Sequence, residues 1–141
     1  MASRADDEGS ILVLGIGFIA VLLLAVSVVT DASMAFIQRS SLQARADAAA
    51  LAGVQGIDLD SYYANGATEA TALVPQSARM LAADQLTRAQ RDSGIPGLEI
   101  VSLVATPYDV TTTLRAPIRT AFWPLDATIT VESTARLDYV G

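Results

Sequence analysis

From Ile11 to Thr30 the chain reads ILVLGIGFIAVLLLAVSVVT, twenty residues without a charge. As a helix rising 1.5 Å per residue, this run spans about 30 Å, the thickness of a bilayer's hydrocarbon core. A small domain has too little interior to cover a helix that is apolar on every side. The run therefore predicts a membrane span with boundaries at Ile11 and Thr30. It is too long for the apolar core of a secretory signal. The segment before it, MASRADDEGS, sets one Arg against Asp6, Asp7 and Glu8, and no A-x-A-like site follows. A retained anchor is the expectation, with a secreted domain freed by cleavage as the weaker alternative. Arg4 on one side of the run and Arg39 and Arg45 on the other leave its orientation unread.

Beyond the run, Asp31 to Ala52 contains neither Pro nor Gly and is rich in Ala, Gln, Leu and Arg. These are helix formers, so one helix is expected from about Ser10 to Gly53, ended by Gly53 and Gly56. Asp31, Ala35, Gln38, Leu42, Ala46, Ala49 and Gly53 fall on one stripe at helical spacing. Phe36, Ile37, Leu51 and Val54 point elsewhere, so more than one partner surface is implied. A loop is expected at 55–68, turning at Asn65-Gly66. A second helix follows from Pro75 to Ser93, with Ala78, Leu81, Ala82, Leu86 and Ala89 inward and Arg79, Asp84, Arg88 and Arg91 outward. Pro75 suits its first position, and Gly94 and Pro96 its stop.

After Gly97 the period changes to two. Glu99–Thr106, Tyr108–Ala116 and 127–138 read as strands. The last alternates Ala127, Ile129, Val131, Ser133, Ala135 and Leu137 with polar residues, as a half-buried antiparallel strand does. Pro117 and Pro124 bracket a connection, IRTAFW. The expected fold is α+β: a long N-terminal helix with a single transmembrane span, then a small head of one helix and a short antiparallel sheet. The divisions are a tail at 1–10, the span at 11–30, the helix continuation at 31–54 and the head at 55–141.

Several chemistries are excluded by composition. The chain has no Cys and no His, and all nine basic residues are Arg. Thiol nucleophiles, Cys/His zinc sites, Ser-His-Asp triads and Ser–Lys dyads are thus unavailable to it. Its net charge of −6 disfavours nucleic acid as a partner. Asp58 and Asp60 form too sparse a set for a cation loop. No enzyme, cofactor, metal or small-molecule substrate is expected. Lipid and other protein subunits remain as partners. Gly15 and Gly17 lie inside the apolar run, where glycines let a second helix approach. Ala46, Ala49 and Gly53 offer the same close approach further along. Asp31 either marks the membrane exit, where a carboxylate reaches water, or pairs with a neighbouring subunit.

The combination of DEGS before a single apolar helix, an exit through VVTDAS, the continuation FIQRSSLQARADAAALAG and a late FWPL resembles the TadE/TadG-like proteins of tight-adherence (Flp) pilus systems, in particular the short TadG-related type. The resemblance is closest over residues 7–54. It implies a pilin-like or minor-pilin component of pilus assembly or a related secretion machine. It further implies a cytoplasmic N-terminus, an extracytoplasmic head, and other pilus subunits or further copies of this chain as partners. One position departs from a prepilin-type site: the fifth residue after Gly9 is Leu14, where such a site has Glu. Cleavage after Gly9 is therefore not expected. A membrane-anchored envelope scaffold unrelated to pili is the alternative reading.

Overall fold

A computed structural model describes residues 4–56, 72–93, 95–124 and 126–137. Helix α1 runs from Arg4 to Gly53, α2 from Pro75 to Ser93, and strands β1, β2 and β3 cover Glu99–Ala105, Asp109–Pro117 and Thr128–Arg136. The architecture is α+β, as the periodicities predict. α1 begins at Arg4 rather than Ser10, because nothing in the chain from Arg4 to Glu8 breaks a helix. The expected Asn65-Gly66 turn, Asp58, Asp60 and Gly94 lie outside the described residues.

The chain forms two units. The first holds Met1–Phe36 together with Arg119–Leu125, and the second holds Ile37–Ile118 and Asp126–Gly141. In the first, the side chains of the apolar run stand uncovered: Leu14 is 75% exposed and even Leu22 is 48%. A core helix of a soluble domain would have these groups packed. The run's few hydroxyls are turned back on the helix, Ser27 donating to the Leu24 carbonyl and Thr30 to that of Val26, each at 2.8 Å. Such back-bonding hides polar groups from an apolar surrounding.

In the second unit, β1, β2 and β3 form an antiparallel meander with β2 in the centre. β2 pairs with β3 without a break from Asp109↔Arg136 to Pro117↔Thr128. Its pairing with β1 slips once, between Ile100 and Ser102, which makes a bulge at Val101. Thr106-Pro107-Tyr108-Asp109 closes the first hairpin. The Thr106 N–H donates to the Asp109 carbonyl at 2.8 Å, and the Thr106 hydroxyl accepts the Asp109 N–H at 3.0 Å. Pro is favoured at the second position of such a turn. Along β2, Val110, Thr112, Leu114 and Ala116 are buried and alternate with more exposed residues. β3 shows the period-two pattern expected of it, with Val131 buried and Thr128, Thr130, Glu132, Thr134 and Arg136 exposed.

Two apolar clusters hold this unit. Leu42, Ala46 and Ala49 of α1 meet Leu86 of α2, Leu114 and Ala116 of β2, and Val131 of β3. Ala78 and Ala82 of α2 meet Leu73, Ala105 and Val110. Full burial of each of Leu42, Leu86 and Leu114 contributes about 1.5–3 kcal/mol. In this unit, side-chain bonds from Gln43 and Arg45 help attach α1 to its surroundings. Gln43 donates to the Glu132 carbonyl at 3.2 Å, and Arg45 to the Ala89 carbonyl at 3.0 Å near the end of α2, where a cation complements the helix dipole. One sequence assignment fails here: Leu81 is 42% exposed. Three consecutive turns of α2 already fill the inner face with Ala78, Ala82 and Leu86, so Leu81 falls to its flank. Arg79, Asp84, Arg88 and Arg91 are exposed as expected, and Arg88 pairs with Asp84 at 2.5 Å.

α2 is joined to the end of α1 through Gly56. Its carbonyl accepts the Val74 N–H at 3.1 Å, and a Cβ there would stand 2.8 Å from the Ala78 nitrogen. Only glycine permits that approach. After α2 the chain turns at Pro96-Gly97, where Gly97 takes φ +77°, the left-handed conformation a type II turn requires.

Candidate functional site at the end of the apolar run

Asp31 follows the last residue of the apolar run and is only 7% exposed. Its carboxylate is held by the backbone of its own chain. Oδ1 accepts the N–H of Ala121 at 2.7 Å and that of Phe122 at 3.2 Å. Oδ2 accepts Trp123 N–H at 3.0 Å, with Phe122 shared between the two oxygens. Three consecutive N–H groups converging on one anion form an anion-binding concavity built from main chain alone. Burial pushes the Asp31 pKa up. The hydrogen bonds from Ala121, Trp123 and Phe122 more than reverse this and hold the group below the ordinary carboxylate value.

The segment between β2 and β3 is shaped for that contact. Pro117 ends β2, the Ile118 N–H donates to the Ala127 carbonyl at 2.8 Å, and the chain then bends at Ala121, Phe122 and Trp123. The Thr120 hydroxyl donates to the Trp123 carbonyl, closing the bend. Pro124 follows and brings no N–H of its own. The side chains of Phe122 and Trp123 are left 60% and 50% exposed. The sequence reads Asp31 as a membrane-exit acid or an inter-subunit acid; in the structure its carboxylate oxygens accept main-chain N–H groups of the IRTAFW segment. The signal for this pairing was faint. An acid with no nearby base, and an aromatic pair between two prolines, were each visible without any pattern linking them.

The other site residues fall into two groups. Gly15 and Gly17 have nothing within 4 Å of a would-be Cβ, and so lie on uncovered helix surface. Ala46 and Ala49 are fully buried in the head's own core. A Cβ on Gly53 would meet Val110 Cγ1 at 2.8 Å and the Ala78 carbonyl at 3.2 Å. The small residues at the end of α1 therefore let β2 and α2 come close. On the neighbouring side of α1, Ala48 and Ala52 are half-buried and Leu51 is 58% exposed. Ile11 and Thr30 bound the uncovered run.

Among the described residues, one helix is long and apolar enough to cross a membrane, which, with the small α+β head, fits the class of single-helix membrane-anchored proteins. Residues 9–56 match the family model Tad, described as "Putative Flp pilus-assembly TadE/G-like". The resemblance drawn from the residues is thereby met over residues 9–56, which are similar to a family of pilus-assembly proteins. The match covers α1 from Gly9 and the turn that ends it, while α2 and the sheet lie beyond it. Neither the curated proteins nor the solved structures contain a significant match.

Proposed function

We propose that this protein is a pilin-like, minor-pilin-type membrane component of a tight-adherence (Flp) pilus assembly or a related secretion system, and that it acts by subunit packing rather than catalysis. The observation carrying this reading is the coincidence of two features on α1. The pilus-assembly family match begins at Gly9 and takes in the whole run whose side chains are uncovered. A helix of this kind is stable only when lipid or other helices cover it. In this reading Ile11–Thr30 spans the cytoplasmic membrane, with the N-terminus in the cytoplasm and the head outside. Partners pack on the uncovered helix at Gly15 and Gly17, and on the Ala48–Leu51–Ala52 side of its continuation.

Cysteine labelling tests the topology. A cysteine at Thr130, exposed on β3, reacts with an impermeant thiol reagent in cells whose wall admits it, and one at Ser3 does not. The reverse pattern overturns the orientation. Cross-linking in assembling cells tests the role: a photoreactive residue at Leu51 is expected to capture a pilus subunit. Capture of lipid alone, together with normal piliation when the protein is deleted, overturns it. Intact mass of the membrane-bound protein tests processing, and a chain beginning at Ser10 would show prepilin-type cleavage after all.

A further inference from the structure

Asp31 stands one residue beyond the apolar run, about 1.5 Å along the helix axis from Thr30. The three N–H bonds onto its carboxylate therefore fix Ala121, Phe122 and Trp123 at the level where the run ends. The aromatic side chains exposed on that segment are Phe122 and the chain's only tryptophan. Tryptophan concentrates at the membrane–water boundary, where its ring is apolar and its indole N–H still finds a partner. On α1 the apolar surface continues past Asp31, with Met34 40% and Phe36 73% exposed.

Backbone chemistry decides whether such a segment can enter that boundary. A loop ordinarily cannot, because bare N–H groups are costly where water is scarce. Here the N–H groups of Ala121, Phe122 and Trp123 are all taken by Asp31, Pro124 has none, and the Trp123 carbonyl accepts the Thr120 hydroxyl. The main-chain N–H groups of residues 121–123 are thus satisfied before any contact with lipid, and Pro124 has none to satisfy. The same bonds solvate the Asp31 carboxylate, which would otherwise be an uncompensated charge at the edge of the hydrocarbon.

We propose that Ala121–Pro124 is an interfacial anchor: Phe122 and Trp123 enter the headgroup–acyl boundary of the leaflet from which the apolar run emerges, and Asp31 holds them at that depth. The occupant of this aromatic surface is lipid, by continuity with the uncovered run beside it. The proposal rests on the reading of Ile11–Thr30 as a membrane span, and the two fail differently.

The full-length protein is reconstituted into vesicles of phosphatidylcholine and phosphatidylglycerol, with bromine placed either near the headgroup or near the chain end. Flotation and resistance to alkaline washing report insertion of the span. The sole tryptophan reports the loop. The expected result is blue-shifted emission with a larger loss of intensity for the shallow bromine than for the deep one. In Asp31→Ala, insertion persists while the shallow quenching falls. An inserted protein whose tryptophan emits as in water and is unquenched by either lipid overturns the anchor and leaves the span standing. So does a blue-shifted tryptophan that neither lipid quenches, which would mean a protein neighbour covers it. Unchanged quenching in Asp31→Ala overturns the holding role of the carboxylate. Failure of the wild-type protein to insert overturns the span and the anchor together.

Discussion

The Asp31 carboxylate accepts the Trp123 N–H at 3.0 Å, a contact between residues 92 apart in the chain. Its dependence on ionisation has a definite sign. The carboxyl's pKa is lower in the folded protein than in an unfolded chain. The stabilisation is therefore complete above the ordinary aspartate pKa, fades as pH falls below it, and is gone once pH has fallen through the folded-state value. Emission from the single tryptophan, followed from neutral to strongly acidic pH in detergent, is expected to stay flat and then change at the acid end. Asp31→Asn should show the acid-like emission at every pH. A wild-type transition near neutrality would contradict this account.

Thr112 sits fully buried in the middle of β2, and its hydroxyl has no hydrogen-bond partner among the described residues. An unsatisfied buried polar group costs about 1–3 kcal/mol. Thr112→Val keeps the branched shape and removes the cost, so the head is expected to gain about 1 kcal/mol in stability. Thermal unfolding of the full-length protein in detergent measures this. A loss of stability would mean that the hydroxyl is satisfied in a way the geometry does not account for.

Glycines at the two ends of α1 should respond differently to the same change. Gly53→Ala forces a methyl group against Val110 and the Ala78 carbonyl, an overpacking expected to cost about 1–3 kcal/mol. Gly15→Ala and Gly17→Ala meet nothing within 4 Å. They should leave unfolding unchanged, or raise helix stability slightly. If they nevertheless abolish co-purification with pilus subunits, the two glycines mark a contact between membrane helices. If co-purification persists, they serve no such contact.

Leucine substitutions along the alanine run test whether α1 has two working sides. Ala46→Leu and Ala49→Leu enter a filled core and are expected to destabilise the head by about 1–3 kcal/mol. Ala48→Leu and Ala52→Leu lie on the half-buried side and should leave the melting temperature near the parent's while reducing recovery of assembly partners. Partner loss that tracks melting temperature across all four would confine the small residues to folding.

Much of this fold is legible because its periodicities are clean. The stripe from Asp31 through Leu42, Ala46 and Ala49 to Gly53 is buried along its length apart from the half-buried Ala35 and Gln38, and Pro75 and Ser93 bound α2 as the stop signals indicate. Leu81 departs from the helical period because that period names a sector and not its width, and width depends on what packs opposite. The Asp31 site was hidden for another reason. A carboxylate bound by main-chain N–H groups needs no complementary side chain, so nothing in residues 119–124 advertises it. Hydrogen bonds to the backbone leave no mark on composition, charge or spacing.

The 92-residue separation between Asp31 and Trp123 also orders events in time. The chain is made from its N-terminus at about 5–20 residues per second, so Asp31 exists for several seconds before the groups that bind it. During that interval the nascent helix carries a bare anion at the rim of its apolar run. Its charge is sheltered only after β2 has been synthesised and the segment beyond it has folded back. A chain truncated before Ala121 never reaches that state. Closure of this contact thus separates a finished molecule from an unfinished one.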